Sequence, residues 1–417
     1  MTRARSREAL AFGVATALVL VHAIDDAFAH RQPGVDLGQH AIAAGVAVAA
    51  GIAGIAAFGR LRPGLRSALA FAFGTLALVN GLLHVIHVAT EGPAASDITG
   101  LVATAAGAAL LGMAVAIPWR HRGEGAATPA RRWARRAVAI PGALVALVVL
   151  VVPVGAAIVE THKWRSEIGD PPSAAYAAVS FRSTDGLDIA GWYRPSQNGA
   201  SVLVVHGGGS DRMGAVDHAE MLAAHGYGVL LYDARGRGES EGSPNSYGWD
   251  WTKDAAGALD FLGDRNDVRD GRIGALGLST GADILIELAA ERQDVRALVT
   301  DGAAAGSFED GHRLNGFHAA TPSLWVMFKA MAVLSGDGPG TALEEAVPRI
   351  SSPLLLVSAG RQLEYDFNVR YAAVAGDRAE HWNLPDAHHT DALREHASAY
   401  EQRVVGFLDE ALLEAQR

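Results

Sequence analysis

The sequence predicts an α/β domain, a mostly parallel sheet with helices on both faces and a small cap insertion, preceded by an all-α membrane domain of about five helices. Three observations predict it. Half of the 417 residues are apolar and the mean hydropathy is +0.15, high for a soluble enzyme. The apolar excess lies in long stretches before residue 160. After residue 175, short apolar runs alternate with helical patterns, as in a parallel sheet covered by helices. The expected division is 1–160 membrane domain, 161–174 linker and 175–417 α/β domain.

Composition narrows the function. There is no cysteine, so disulfides, thiolate metal sites and a cysteine nucleophile are excluded. The net charge is −10, and no basic patch interleaved with aromatics marks a nucleic-acid surface.

Five apolar stretches, Ala9–Ile24, Gly38–Phe58, Ser67–Ala89, Ile98–Pro118 and Ala137–Val159, approach the ~20 residues needed to cross the hydrocarbon core. Their Ala, Gly and Val content suits close helix contact in lipid. Arg3, Arg5 and Arg7 precede the first stretch. Arg60, Arg62 and Arg66 follow the second, and Arg120, Arg122, Arg131, Arg132, Arg135 and Arg136 follow the fourth. The other two loops hold only Arg31. Arginines favour the cytoplasmic side, so the N-terminus is expected inside and everything after Val159 outside.

Polar residues intrude near the outward ends of these stretches: His22, Asp25, Asp26, His40, His84 and His87. Such groups are costly in lipid and face a bundle interior or water. Their donor set suits Zn²⁺ or another divalent metal. Interhelical or headgroup hydrogen bonding is the alternative, and it is favoured because no tight ligand motif is present.

Thr161 to Ser173 is polar, carries Pro171 and Pro172, and reads as a linker. Strand-like runs follow at Ala177–Arg182 and Leu187–Tyr193 around the hairpin signal Asp185-Gly186, then at Val202–Val205, Val229–Tyr232, Ile273–Leu278, Ala297–Val299, Leu354–Val357 and His381–Leu384. Helical patterns at Asp217–His225, Thr252–Asp264, Ala282–Arg292, Val369–Ala375 and Leu393–Glu414 lie between and after them.

Chemistry collects at strand ends. Gly277-Leu278-Ser279-Thr280-Gly281 joins an apolar strand to a helix. Small residues flanking such a bend push the central side chain out above the sheet, the geometry of a nucleophile elbow with Ser279 at its tip. Val205 is followed by His206-Gly207-Gly208-Gly209, whose bare backbone can offer N–H groups to an oxyanion. Gly207 and Gly208, with the N–H of Thr280, are the expected donors. The loop Asp233-Ala234-Arg235-Gly236-Arg237-Gly238-Glu239-Ser240 reads as tight turns and an Arg–carboxylate brace. Glu364 and Asp366 follow the Leu354–Val357 strand, and His388 and His389 follow the last one. Ser279, Glu364 and His389 then run in the order of a Ser–acid–His triad.

On these motifs, residues 175–417 resemble an α/β-hydrolase. They are most similar to the serine esterase/peptidase-like branch with Y-D-x-R-G-x-G-x-S and an aspartate-bearing helix after it, here Asp254 and Asp260. That branch places a small residue before its histidine. His388 fills that slot, which maps the base onto His389 and leaves His388 as the alternative. The resemblance puts the acid shortly after Gly360, favouring Glu364 over Asp366, with Asp301 third. It also implies that 306–349, with Phe317, Leu324, Trp325, Met327, Phe328 and Met331, forms a cap. The expected activity is hydrolysis of an ester-type, lipid-like acyl substrate at a membrane, with no cofactor for the hydrolase. An acyl transferase, a peptidase and a metal-dependent membrane domain are the alternatives.

Overall fold

A computed structural model describes residues 3–30, 37–90, 92–95, 97–121, 128, 137, 141–142, 144–145, 147–163, 165–360 and 363–414. The chain forms two compact units. One comprises residues 1–162 and 319–336, the other 163–318 and 337–417.

The first unit is helical: α1 Arg3–Ile24, α2 Leu37–Phe58, α3 Pro63–Thr90, α4 Asp97–Arg120 and α5 Val152–Thr161. Among the described residues, three helices are long and apolar enough to cross a membrane, Arg5–Ala29, Pro63–Ala89 and Asp97–Arg120. The fifth expected span falls partly on residues outside the described ones, and some side chains of the second are not described. Their described apolar parts are Ala44–Phe58 and Leu147–Thr161. Arg31, Arg122, Arg131, Arg132, Arg135 and Arg136 also lie outside the described residues.

Polar contacts hold this unit at both ends of its helices. Near the start of α1, buried Glu8 accepts from Arg66 at 2.5 Å, and His121 Nε2 lies 3.1 Å from its carboxylate. At the opposite ends, Asp97 faces His84 Nδ1 and His87 Nδ1, each at 3.0 Å. Between these ends α3 and α4 meet through backbone: a Cβ on Gly74 would stand 2.9 Å from the Gly107 carbonyl.

The second unit is an eight-stranded sheet: β1 Ala177–Arg182, β2 Asp188–Arg194, β3 Ser201–Val205, β4 Gly228–Tyr232, β5 Ile273–Leu278, β6 Val295–Asp301, β7 Leu354–Ala359 and β8 Ala379–Leu384. The order is β1-β2-β4-β3-β5-β6-β7-β8. The first two strands add antiparallel and the rest are parallel. Side-chain alternation sends Leu203, Val205, Leu354 and Leu356 to one core and Val202, Val204, Leu355 and Val357 to the other. Helices α6 Val216–Ala224, α7 Trp251–Gly263, α8 Thr280–Glu291, α9 Phe308–Asn315, α10 Thr321–Ser335, α11 Leu363–Ala375 and α12 Ala397–Asp409 follow in chain order.

Two elements differ from expectation. The helix expected from Val369 begins at Leu363, so Glu364 lies in its first turn rather than in a loop. The expected cap at 306–349 is divided, because α10 belongs to the helical unit, where it packs on α5 and its Ser323 hydroxyl donates to Val148 at 3.0 Å. The run Thr321–Ser335 carries Leu324, Trp325, Val326, Met327 and Phe328 consecutively, an apolar helix rather than an amphipathic one.

His218 on α6 is buried against Tyr400, and neither ring nitrogen has a hydrogen-bond partner among the described residues. Burial lowers its pKa to about 4, and burial does the same to His206. Both groups stay neutral in the fold while the unfolded chain protonates from about 6.5. Stability is therefore expected to fall as pH drops from 6.5 toward 4 and to be unaffected by these groups above 6.5. His218→Phe should reduce that slope, read as Tm against pH.

Candidate active site

Ser279 sits between β5 and α8 with φ 51° and ψ −122°, one of two non-glycine residues with positive φ among those described. The strain follows from a close crossing. A Cβ on Gly281 would lie 2.5 Å from the Val205 carbonyl and 2.6 Å from that of His206, and one on Gly277 would strike the Gly281 backbone. The helix thus starts directly against the end of β3, and only a sharp turn at Ser279 lets β5 run into it. The Ser279 N–H donates to the Asp301 carbonyl at 2.8 Å, tying the turn to β6.

His389 Nε2 lies 2.9 Å from Ser279 Oγ, and its Nδ1 lies 2.6 Å from Glu364 Oε2. The other carboxylate oxygen of Glu364 accepts the Ala359 N–H at 2.6 Å. The carboxylate is therefore fixed between the end of β7 and the imidazole. The Glu364 hydrogen bond raises the His389 pKa above its ordinary value, against the opposing effect of burial. His388 is turned to a different partner: its Nδ1 and backbone N–H both meet Glu395, at 2.7 and 2.9 Å. Asp366 is exposed two residues along α11.

The glycine loop reaches the same place. A Cβ on Gly207 would touch Ser279 Cβ at 3.4 Å, and one on Gly208 would stand 2.6 Å from Thr280 Oγ1. Thr280 opens α8, where first-turn N–H groups lack intrahelical acceptors. His206 is no base here. Its Nδ1–H donates to the Gly207 carbonyl at 2.8 Å and its Nε2 accepts from Ala234 at 3.1 Å, which pins the loop.

The Asp233–Ser240 loop makes ion-pair braces. Asp233 holds the Arg212 guanidinium at 2.7 Å and the backbone N–H groups of Arg212 and Glu239, both at 2.9 Å. Arg235 joins Asp254 at 2.7 Å to Asp185 at 2.8 Å. Arg237 donates to the Pro244 and Ser246 carbonyls.

Three residues near the site escape a sequence reading or gain weight in the fold. Gly302 (φ +79°) leaves room for the histidine: a Cβ there would lie 2.7 Å from His389 Cε1. The signal available was Asp301-Gly302 at a strand end. Asp283, one turn into α8, is buried, accepts from Ala304 at 2.9 Å and is pushed up to about 7 by burial. Asp301 is fully buried.

In the helical unit, His22 is buried between Asn80, 3.0 Å from its Nε2, and Thr99, 3.1 Å from its Nδ1. Thr99 donates to Asp25 at 2.6 Å. The His22 and His84 rings meet edge to face at 4.8 Å. Asp26 is half-buried in the same turn as Asp25, and the side chain of His40 lies outside the described residues. Among the described residues, the one group of three ligand types whose donor atoms converge within 4.8 Å is His388, Asp391 and Glu395. His22, Asp25, His84 and His87 are brought together, but through hydrogen bonds with Asn80, Thr99 and Asp97.

Comparison with known proteins agrees with this architecture. Residues 118–396 match the X-Pro dipeptidyl-peptidase (S15) family. An uncharacterized protein of Mycobacterium tuberculosis is 28% identical over 233 residues, 54% of this chain and 77% of that protein. The uncharacterized protein YfhR of Escherichia coli O157:H7 is 25% identical over 261 residues, covering 58% and 83%. Among solved structures, the Pyrococcus furiosus esterase PF2001 superposes with a TM-score of 0.50 at 24% identity, over 60% of this chain and 98% of the esterase. The fold is that of the α/β-hydrolases.

Gly281→Ala should disrupt the strand–helix crossing. The expected loss is about 3 kcal/mol, as for other overpacked sites, or roughly 6–10 °C in Tm. A variant with unchanged Tm would show that the crossing is looser than described.

Proposed function

The chain belongs to the X-Pro dipeptidyl-peptidase (S15) family, and on that premise we propose that it is a membrane-anchored serine hydrolase that cleaves a carboxylic ester through Ser279, His389 and Glu364. The observation that carries this reading is the unbroken contact from Ser279 Oγ through His389 to Glu364. Ser279 Oγ attacks the acyl carbonyl carbon and its proton passes to His389 Nε2. N–H groups of the Gly207–Gly208 loop and Thr280 receive the oxyanion. As the tetrahedral intermediate collapses, the alkoxide leaves with the proton from His389. Water then adds to the acyl-enzyme, giving its proton to His389, and on collapse that proton passes to Ser279 Oγ as the carboxylic acid departs. Glu364 holds the imidazole with Nδ1 protonated and stabilises the imidazolium.

An ester substrate is favoured by the likeness to an esterase fold. The family description favours a peptidase, which the same chemistry serves with an amine leaving group. Lipid-like character in the substrate is suggested by the three long apolar helices. In this reading the helices anchor the enzyme in the cell membrane, and the arginine distribution favours a hydrolase unit outside the cytoplasm.

A fluorophosphonate probe should label the wild type and His388→Ala, but not Ser279→Ala or His389→Ala, with ester turnover falling roughly 10³-fold or more in the last two. Unlabelled, folded wild type would sink the reading. Esters of increasing chain length, set against X-Pro peptides, separate esterase from peptidase. Because Glu364 raises the His389 pKa, kcat/KM should rise with pH through a midpoint above 6.5, and Glu364→Gln should move that midpoint down. The absence of cysteine makes topology testable with one substitution. Gly263→Cys, on the hydrolase unit, should react with an impermeant maleimide on intact cells. Labelling only after lysis would place that unit inside.

A further inference from the structure

His388, Asp391 and Glu395 form a cluster beside the base that the reaction above does not use. His388 stands directly before His389, in the slot where the resembling branch carries a small residue. Its side chain is 80% exposed, so packing does not account for an imidazole there. The fold gathers the three residues by two tight turns. The Asp391 N–H donates to the His388 carbonyl at 3.0 Å, across a turn that holds Thr390 at φ 59°. The Glu395 N–H donates to the Asp391 carbonyl at 2.9 Å, one helical turn further on. One ligand atom from each side chain then lies within 4.8 Å of the other two.

An imidazole nitrogen with two carboxylates suits a borderline divalent cation such as Zn²⁺. The imidazole is what separates this place from ordinary acidic surface, because Ca²⁺ and Mg²⁺ take all-oxygen shells. Bonds of about 2.0–2.2 Å to a tetrahedral ion put its ligand atoms roughly 3.3 Å apart. His388 Nδ1 and Glu395 Oε1 are 2.7 Å apart, and no pair among the three exceeds 4.8 Å. Side-chain shifts of roughly 1–2 Å therefore complete the shell. One cation already competes for it. Arg394 donates to Asp391 Oδ2 at 2.5 Å and lies 3.8 Å from Glu395. Its side chain is 69% exposed and can turn into water when an ion takes its place.

We propose that His388, Asp391 and Glu395 bind Zn²⁺, with water as the fourth ligand, and that the ion clamps the segment carrying His389. On binding, His388 Nδ1 exchanges its hydrogen bond to Glu395 for the metal, and the ring proton resides on Nε2. The ion ties the residue before His389 to Asp391 and Glu395 after it, so the turn that presents the imidazole to Ser279 opens less readily. The site stands on its own donor atoms, whether or not Ser279 is a nucleophile.

The test uses full-length protein purified in detergent, stripped with EDTA and titrated with Zn²⁺ against a chromophoric chelator, with Tm followed in parallel. No cysteine competes for the ion. Wild type should take up Zn²⁺ at micromolar concentration and gain roughly 5–10 °C in Tm with Zn²⁺ at about 100-fold over Kd. Millimolar Ca²⁺ or Mg²⁺ should give no such gain. His388→Ala and Glu395→Gln should each lose it and bind at least about 10²-fold more weakly, more than loss of a supporting residue costs. Asp391→Asn serves if Glu395→Gln does not fold. Arg394→Ala should bind Zn²⁺ several-fold more tightly, because the competing guanidinium is gone. Equal Zn²⁺ affinity in wild type and His388→Ala overturns the proposal, since the uptake then belongs to other histidines. Zn²⁺ binding without a gain in Tm overturns the clamp. Fluorophosphonate labelling of Ser279 in the stripped protein tests the hydrolase reading separately, so either can fail alone.

Discussion

The site depends on one close approach, the contact of the first turn of α8 with the end of β3. Gly281 has no Cβ because the Val205 and His206 carbonyls occupy that space, and Gly277 has none because the Gly281 backbone does. The chain must reverse within the three residues between them, which holds Ser279 at φ 51°. An L-residue in that region is strained, and it persists only because the flanking sheet and helix are fixed by burial on both faces. From that position the Ser279 hydroxyl is presented to His389, and its N–H is bound by Asp301. The oxyanion loop is placed by the same crossing, since it continues from the carbonyls that exclude a Cβ at 281.

Electrostatics around the histidine follow from which carboxylates are hydrogen-bonded and which are merely buried. Glu364 has a donor for each oxygen, Ala359 N–H and the imidazole, so its carboxylate is held facing the ring. Asp283 is buried with one N–H donor, from Ala304, and Asp301 is buried facing Tyr400, and burial raises both to about 7. Carboxyl groups thus sit in opposite surroundings within one site, and the number of N–H groups aimed at each distinguishes them.

Much of this was legible because it is local. The strand–Gly-x-Ser-x-Gly–helix pattern and the glycine loop after β3 are contiguous strings whose backbone demands are written in their small residues. All eight strands were anticipated, most extending one or two residues further than expected. The choice between His388 and His389 was less local. It turns on Glu395, seven residues on, whose carboxylate takes both the ring and the N–H of His388. Glu364 and Asp366 differ only by the helical phase of α11, and that phase was hidden because the helix begins six residues earlier than its apolar pattern does. The membership of α10 in the helical unit was also out of reach. An apolar insertion looks alike in sequence whether it covers a pocket or joins apolar helices.

The polar groups in the helical unit pose a separate physical question, since each costs more in an apolar bundle than in water. Their answer is mutual satisfaction. Asn80 donates to His22 Nε2, which leaves the proton on Nδ1 for Thr99, and Thr99 donates onward to Asp25. Asp97 meets Nδ1 of both His84 and His87. With both ring nitrogens of His22 engaged, a metal at that residue would have to replace an existing hydrogen bond. The network also specifies register. Sliding α1 against α3 and α4 by one turn would separate His22 from Asn80 and Thr99, and at the other end Glu8 from Arg66 and His121. In helices whose apolar surfaces are built from interchangeable Ala, Val and Leu, dispersion alone discriminates weakly between such registers. The paired polar groups at the two ends are what make one of them distinct.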